Sequence, residues 1–221
     1  MQNTIDFLEA TKIPSGLVVF ISGVPGVGKT TISYELLKCY DIFRVIQETD
    51  LIREILRGYN EYLQNIDKGR LIGYMLQDEI LIPDHTKIFN YEDLKGQCNI
   101  MRKSIEQIVM RQQRKGIASI INGVHLVPEV LNGIAENRNV KFINLYISSI
   151  KVLRQRLLGR DEKKYMPYLG VSFEANCALY ESTQMLSREY PNIFLNLDVT
   201  SMGVDQATKA AIEFAQLSEI F

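Results

Sequence analysis

The sequence predicts an α/β fold, a roughly five-stranded parallel sheet with helices on both faces. Three observations predict it. Short apolar runs recur at 17–21, 43–47, 117–121, 140–147 and 193–197. Segments with helical periodicity lie between them. A glycine-rich loop joins the first run to a helix-forming stretch. Alternating strand and helix favours a parallel sheet, because each crossover helix covers a face while the chain returns to its starting edge.

The first run, Leu17 to Ile21, reads as a buried strand, and Ile32 to Lys38 as part of the helix that follows. Between them, Gly23-Val24-Pro25-Gly26-Val27-Gly28-Lys29-Thr30 matches G-x-x-x-x-G-K-[ST] at every fixed position. Strand, loop and helix is the context this phosphate-binding loop, or P-loop, requires. Its glycines let backbone N–H groups turn toward phosphate oxygens, and the helix N-terminus adds partial positive charge. Candidate nucleotide ligands are therefore Gly23, Pro25, Gly26, Val27, Gly28, Lys29, Thr30 and Thr31. Lys29 is assigned to the β- and γ-phosphates, and Thr30 to Mg²⁺.

After the second run, Thr49-Asp50-Leu51-Ile52-Arg53-Glu54-Ile55-Leu56-Arg57 reads as a helix start capped by Thr49 or Asp50. Asp50, Arg53 and Arg57 share one face at helical spacing, with Ile52, Ile55 and Leu56 turned toward the core. Two arginines above a carboxylate suit an anionic acceptor: the arginines clamp the anion while Asp50 orients or deprotonates its hydroxyl, or holds metal-bound water. Residues 60–96 are more polar and read as an insertion of helix and loop on the acceptor side. A helix follows over 97–114, where Met101, Ile105, Ile108 and Val109 share a face and Gly116 stops it.

The third run leads into Asn122-Gly123-Val124-His125. Ligands in open parallel sheets bind beyond the carboxyl ends of the strands, so this turn falls on the same edge as the loop and Asp50. Asn122 can reach Mg²⁺ only through a bound water, and His125 is a candidate acceptor contact. After the fourth run, Lys151 to Arg160 forms a basic helix, with Arg156 and Arg160 one turn apart and Lys163-Lys164 beyond. The expectation is a lid over 151–170 whose arginines stabilise charge during transfer. Residues 151–190 read as two helices joined near Met166–Gly170, and 204–217 as a last helix burying Val204, Ala207, Ala211, Phe214 and Ala215.

Bulk properties narrow the function classes. A chain of 221 residues with 46% hydrophobic content fits one domain over 1–221. The formal net charge is −1, so nucleic acid is not an expected partner. Cys39, Cys98 and Cys177 are far apart and form no zinc spacing, which suggests reduced thiols. No run reaches membrane-span length and the N-terminus lacks a cationic leader, so a cytoplasmic location is expected. No N-K-x-D motif favours a guanine-reading switch, and no LSGGQ-like signature favours a transporter ATPase. Nothing in the sequence sets the oligomeric state.

Four runs together resemble the 2-phosphoglycerate kinase family of P-loop kinases: ISGVPGVGKTTIS, TDLIREILR, IINGVHLVPEVL and YMPYLGVSFEANCALYESTQMLSREYPNI. The likeness extends over about residues 17–198. It implies ATP as donor, Mg²⁺ as cofactor and a phosphorylated small acid as acceptor. In the resembled family the strand before GVHLVP usually ends in Glu, where this chain has Asn122. The family's tail often has an Ile-Arg pair near the place of Ala178-Leu179. The candidate catalytic set is Lys29, Asp50, Arg156 and Arg160, and the acceptor set Asp50, Arg53, Arg57 and His125. Rival readings are a nucleotide, sugar or nucleotide-sugar kinase, and an inactive nucleotide-binding regulatory protein.

Overall fold

A computed structural model describes residues 16–39, 43–66, 90–136, 138–160 and 162–216. Five strands run in the order β2-β3-β1-β4-β5, all parallel. They are β1 (Val18–Ser22), β2 (Phe43–Glu48), β3 (Ala118–Asn122), β4 (Val140–Tyr146) and β5 (Phe194–Asp198). β1 and β3 are buried along their whole length, as strands covered on both faces must be. Phe20, Phe142 and Phe194 run across three neighbouring strands, with ring centroids 5.9 and 5.4 Å apart. Truncating one of these buried rings would cost about 3–5 kcal/mol.

The helices divide into two groups. The helix after the loop, α1 (Lys29–Cys39), packs beside the last, α8 (Val204–Gln216). The other group holds α3 (Tyr91–Arg114), α4 (Pro128–Glu136) and α7 (Leu169–Glu189), which pack on one another. α3 opens on Asn90, whose side chain accepts a hydrogen bond from the Asp93 N–H at 2.8 Å. Its buried stripe includes Leu94, Cys98, Met101, Ile105 and Val109, one face of a 3.6-residue repeat. The remaining elements are α2 (Thr49–Ile66), α5 (Ile150–Leu158), the four-residue α6 (Glu162–Tyr165) and a 3₁₀ turn at Met166–Tyr168. Asn176 of α7 accepts from the Ile147 N–H and donates to the Ile147 carbonyl, so its amide stands in for a strand partner at the end of β4.

Several expectations change. Residues 67–89 of the expected insertion, His85 among them, lie outside the described residues. Its described flanks are helical: α2 runs through Ile66 and α3 begins at Tyr91. α2 starts at Thr49 directly after β2, without a separate cap at Thr49 or Asp50. Ile55 is exposed rather than core-facing, because α2 turns Ile52 and Arg53 inward instead. Val204 is also exposed and takes no part in the apolar face of α8. Two helices were expected over 151–190; the structure has α5, α6 and α7, with the 3₁₀ turn before α7.

Candidate active site

The phosphate loop leaves β1 at Gly23, whose φ is +135°. A Cβ there would lie 2.6 Å from the Leu145 carbonyl oxygen and 2.8 Å from a Val27 methyl, so only glycine fits. Lys29 folds back over the loop, and its Nζ donates to the Val24 carbonyl at 2.9 Å. Burial lowers its pKa to about 7, the negative charges of Asp50 and Glu48 oppose that fall, and Arg160 adds to it. Thr30 and Thr31 are exposed at the start of α1.

Two cavities flank this loop. One, of about 490 Å³, is lined by Gly26 to Ile32, by Arg156 and Arg160, and by Val199 to Ala207 residues after β5. Arg156 anchors its floor: Nη2 donates to the Val199 carbonyl at 2.6 Å, and Nη1 to the Val27 carbonyl at 3.4 Å. The other, of about 390 Å³, is lined by Val24 and Pro25 of the loop, Asp50, Arg53, and residues of α6 and the turn after it. Gly26, Val27, Gly28, Lys29, Thr30 and Thr31 thus border the first cavity and Pro25 the second.

At the second cavity, the TDLIREILR and GVHLVP runs grip each other. His125 is fully buried, with Nδ1 2.9 Å from Thr49 Oγ1 and Nε2 3.3 Å from Arg53 Nη1. Arg53 must donate, so Nε2 accepts and the proton of a neutral ring sits on Nδ1, facing Thr49 and Asp50. Asp50 Oδ1 lies 3.6 Å from His125 Nδ1 and 3.9 Å from Arg53 Nη1. Burial lowers the His125 pKa from 6.5 to about 4; Asp50 opposes the shift, while Arg53 and Lys29 add to it. Thr49 comes so close to Gly123 that a Cβ there would sit 1.6 Å from Thr49 Oγ1. Ser22 at the end of β1 donates to the Leu126 carbonyl and ties the same turn to the loop strand.

The expected acceptor set therefore separates. Asp50 and Arg53 line the cavity. His125 lies behind Arg53 as a brace and does not touch the cavity, because burial turns its ring toward Thr49 and Arg53. Arg57 lies outside the lining and pairs with Glu54 at 3.3 Å. Asn122 is buried and spends its Nδ2 on Ser33 Oγ at 2.9 Å, which in turn donates to the Lys29 carbonyl. Among the described residues, no group of three or more His, Cys, Asp or Glu side chains is placed to hold a metal. The wall from Val199 to Ala207 was missed in the sequence; applying the strand-end rule to the fifth strand would have marked it.

This loop, sheet order and strand-end site define a P-loop kinase fold. Among solved structures, a sugar kinase from Janibacter sp. matches with a TM-score of 0.52 at 18% identity, over 90% of this chain and 93% of that one. A gluconokinase from Sinorhizobium meliloti matches with a TM-score of 0.50 at 12% identity, over 93% and 94%. In sequence, the chain resembles the 2-phosphoglycerate kinases. It is 29% identical to that of Thermococcus kodakarensis over 69% of this chain and 53% of the relative. It is 27% identical to that of Methanococcus vannielii, over 78% and 57%. A mevalonate-3-phosphate 5-kinase from Thermoplasma acidophilum is 28% identical over 65% and 67%. The chain spans about half the length of the 2-phosphoglycerate kinases it matches. No family model matches it. No helix of the described residues is long and apolar enough to cross a membrane.

Proposed function

We propose that the chain is an ATP-dependent small-molecule kinase whose acceptor is a phosphorylated small acid. One observation carries the reading: the phosphate loop stands between two cavities, one bordered by Lys29, Thr30, Arg156 and Arg160, the other by Asp50 and Arg53. A nucleotide in the first would direct its γ-phosphate toward an acceptor in the second. The acceptor hydroxyl oxygen bonds to the γ-phosphorus, the bond to the β–γ bridging oxygen breaks, and Asp50 takes the hydroxyl proton. Lys29 and Arg160 hold the phosphate charge, and Arg53 and His125 keep Asp50 in place. Thr30, exposed at the helix N-terminus beside the cavity, would hold Mg²⁺ together with the nucleotide's own phosphates. That ion supplies neutralisation of phosphate charge.

The names of the sequence relatives support the acceptor class. 2-Phosphoglycerate and mevalonate 3-phosphate are both phosphorylated hydroxy acids with a free hydroxyl. The test is ADP formation with these two, simple sugars, nucleosides and nucleotide sugars, each with Mg²⁺ and ATP. Turnover should appear with phosphorylated hydroxy acids and fall at least a hundredfold in Lys29→Ala. Turnover confined to sugars or nucleosides would overturn the acceptor class. ATP binding without turnover on any acceptor would favour the inactive regulatory reading, which Asn122 at the end of β3 keeps in play.

A further inference from the structure

The charges around the acceptor cavity are not equivalent. Among the described residues, its lining holds four charged side chains: Asp50, Arg53, Lys163 and Lys164. Arg53 is already committed. Its side chain is 5% exposed, and it meets Glu54 at 3.1 Å, Asp50 at 3.9 Å and His125 at 3.3 Å. Its guanidinium therefore fixes the reacting end, near Asp50, whose charge also reaches Lys29. Arg57 lies outside the lining on the far side of Glu54. Lys163 and Lys164 also line this cavity among the described residues, both solvent-exposed on α6 and next to Tyr165 and Pro167 of the same wall. The Lys164 ammonium lies 5.5 Å from the Tyr165 ring centroid, which orients that side chain.

We propose that Lys163 and Lys164 read the phosphate the acceptor already carries, remote from the hydroxyl that receives the phosphoryl group. This assignment rests on the kinase reading and gives its specificity a location. A lysine is a flexible point charge, so the pair tolerates a phosphate at more than one distance from the hydroxyl, where a fixed arginine fork would select one geometry. Acceptors lacking the distal anion gain nothing from α6.

The test compares binding of 2-phosphoglycerate and glycerate by calorimetry, with a non-hydrolysable ATP analogue and Mg²⁺ present. The full chain should prefer 2-phosphoglycerate at least tenfold. In K163A/K164A that preference should shrink to under threefold, with affinity for the ATP analogue unchanged. K163R/K164R should restore it, and Arg57→Ala should keep it. A preference that survives in K163A/K164A would overturn the inference, as would its absence from the parent chain. ADP formation is scored separately. Lysine-dependent binding without ADP would sink the kinase reading and leave the lysine pair standing; turnover without lysine-dependent preference would do the reverse.

Discussion

His125 shows how one side chain can brace the wall of a candidate site without lining its cavity. Its ring is fully buried, bonded to Thr49 and Arg53, with Asp50 and Lys29 as the other charges acting on it. In the sequence it reads as a loop histidine that contacts the acceptor; in the structure it is buried behind Arg53 and lies outside the cavity lining. Its role was not legible, because burial depends on α2 closing over the turn. The consequence is a pH dependence with a definite sign. The folded-state pKa is about 4 against an ordinary 6.5. Between those values the unfolded chain binds a proton that the native ring refuses, so stability is lost as pH falls through that window. Urea unfolding from pH 7 to pH 4.5 should show the parent chain losing up to about 3 kcal/mol more than His125→Gln, which has no ring to titrate. Parallel curves for the two proteins would mean the ring is already charged or solvated in the native state.

At the scale of elements, the strands and the helix over 204–216 were legible because each carries a clean period, two-sided apolar runs or a single apolar stripe. The start of α2 was less so. Asp50, Arg53 and Arg57 do lie at helical spacing, but spacing does not say which face meets the core. The structure buries Arg53 and exposes Ile55, against the hydrophobic pattern, because Glu54, Asp50 and His125 compensate the guanidinium. The expected lid at 151–170 also divides. α5 buries Leu153 and Leu157 against the phosphate loop, with the Leu157 side chain 2.9 Å from where a Gly26 Cβ would stand. Arg156 fastens it further through the Val27 and Val199 carbonyls. α6 has no buried residue. Any closing motion should therefore belong to residues after Leu158. Hydrogen exchange should show new protection over 159–168 when an ATP analogue and 2-phosphoglycerate are added together, with 150–158 protected throughout. Equal gains across 150–168 would mean that α5 moves as well.

For the molecule as a whole, the carboxyl edge of the sheet gathers the phosphate loop, Glu48, Asp50 and the Asn122–His125 turn in a chain whose net charge is only −1. That edge was readable from the motifs that follow the apolar runs and the rule that ligands bind beyond the carboxyl ends of parallel strands, but the division of labour across it was not. Asn122 sits in register between Ile21 of β1 and Glu48 of β2. Its amide holds Ser33, and Ser33 holds the Lys29 carbonyl, so this position fastens the first turn of α1 to the sheet. A glutamate there would lose the donor and place a charge where the residue is 3% exposed. The edge already has a carboxylate one strand away, since Glu48 acts on Lys29. The carboxylates whose charge reaches Lys29 are thus Asp50 and Glu48, neither of them on β3. Asn122→Glu should cost about 1–3 kcal/mol in urea unfolding and leave the Mg²⁺ requirement of ATP turnover no lower. Glu48→Gln should raise the Mg²⁺ concentration for half-maximal turnover roughly tenfold while leaving stability nearly unchanged. The opposite pattern, a stable Asn122→Glu that needs less Mg²⁺ beside a neutral Glu48→Gln, would return the role to the end of β3.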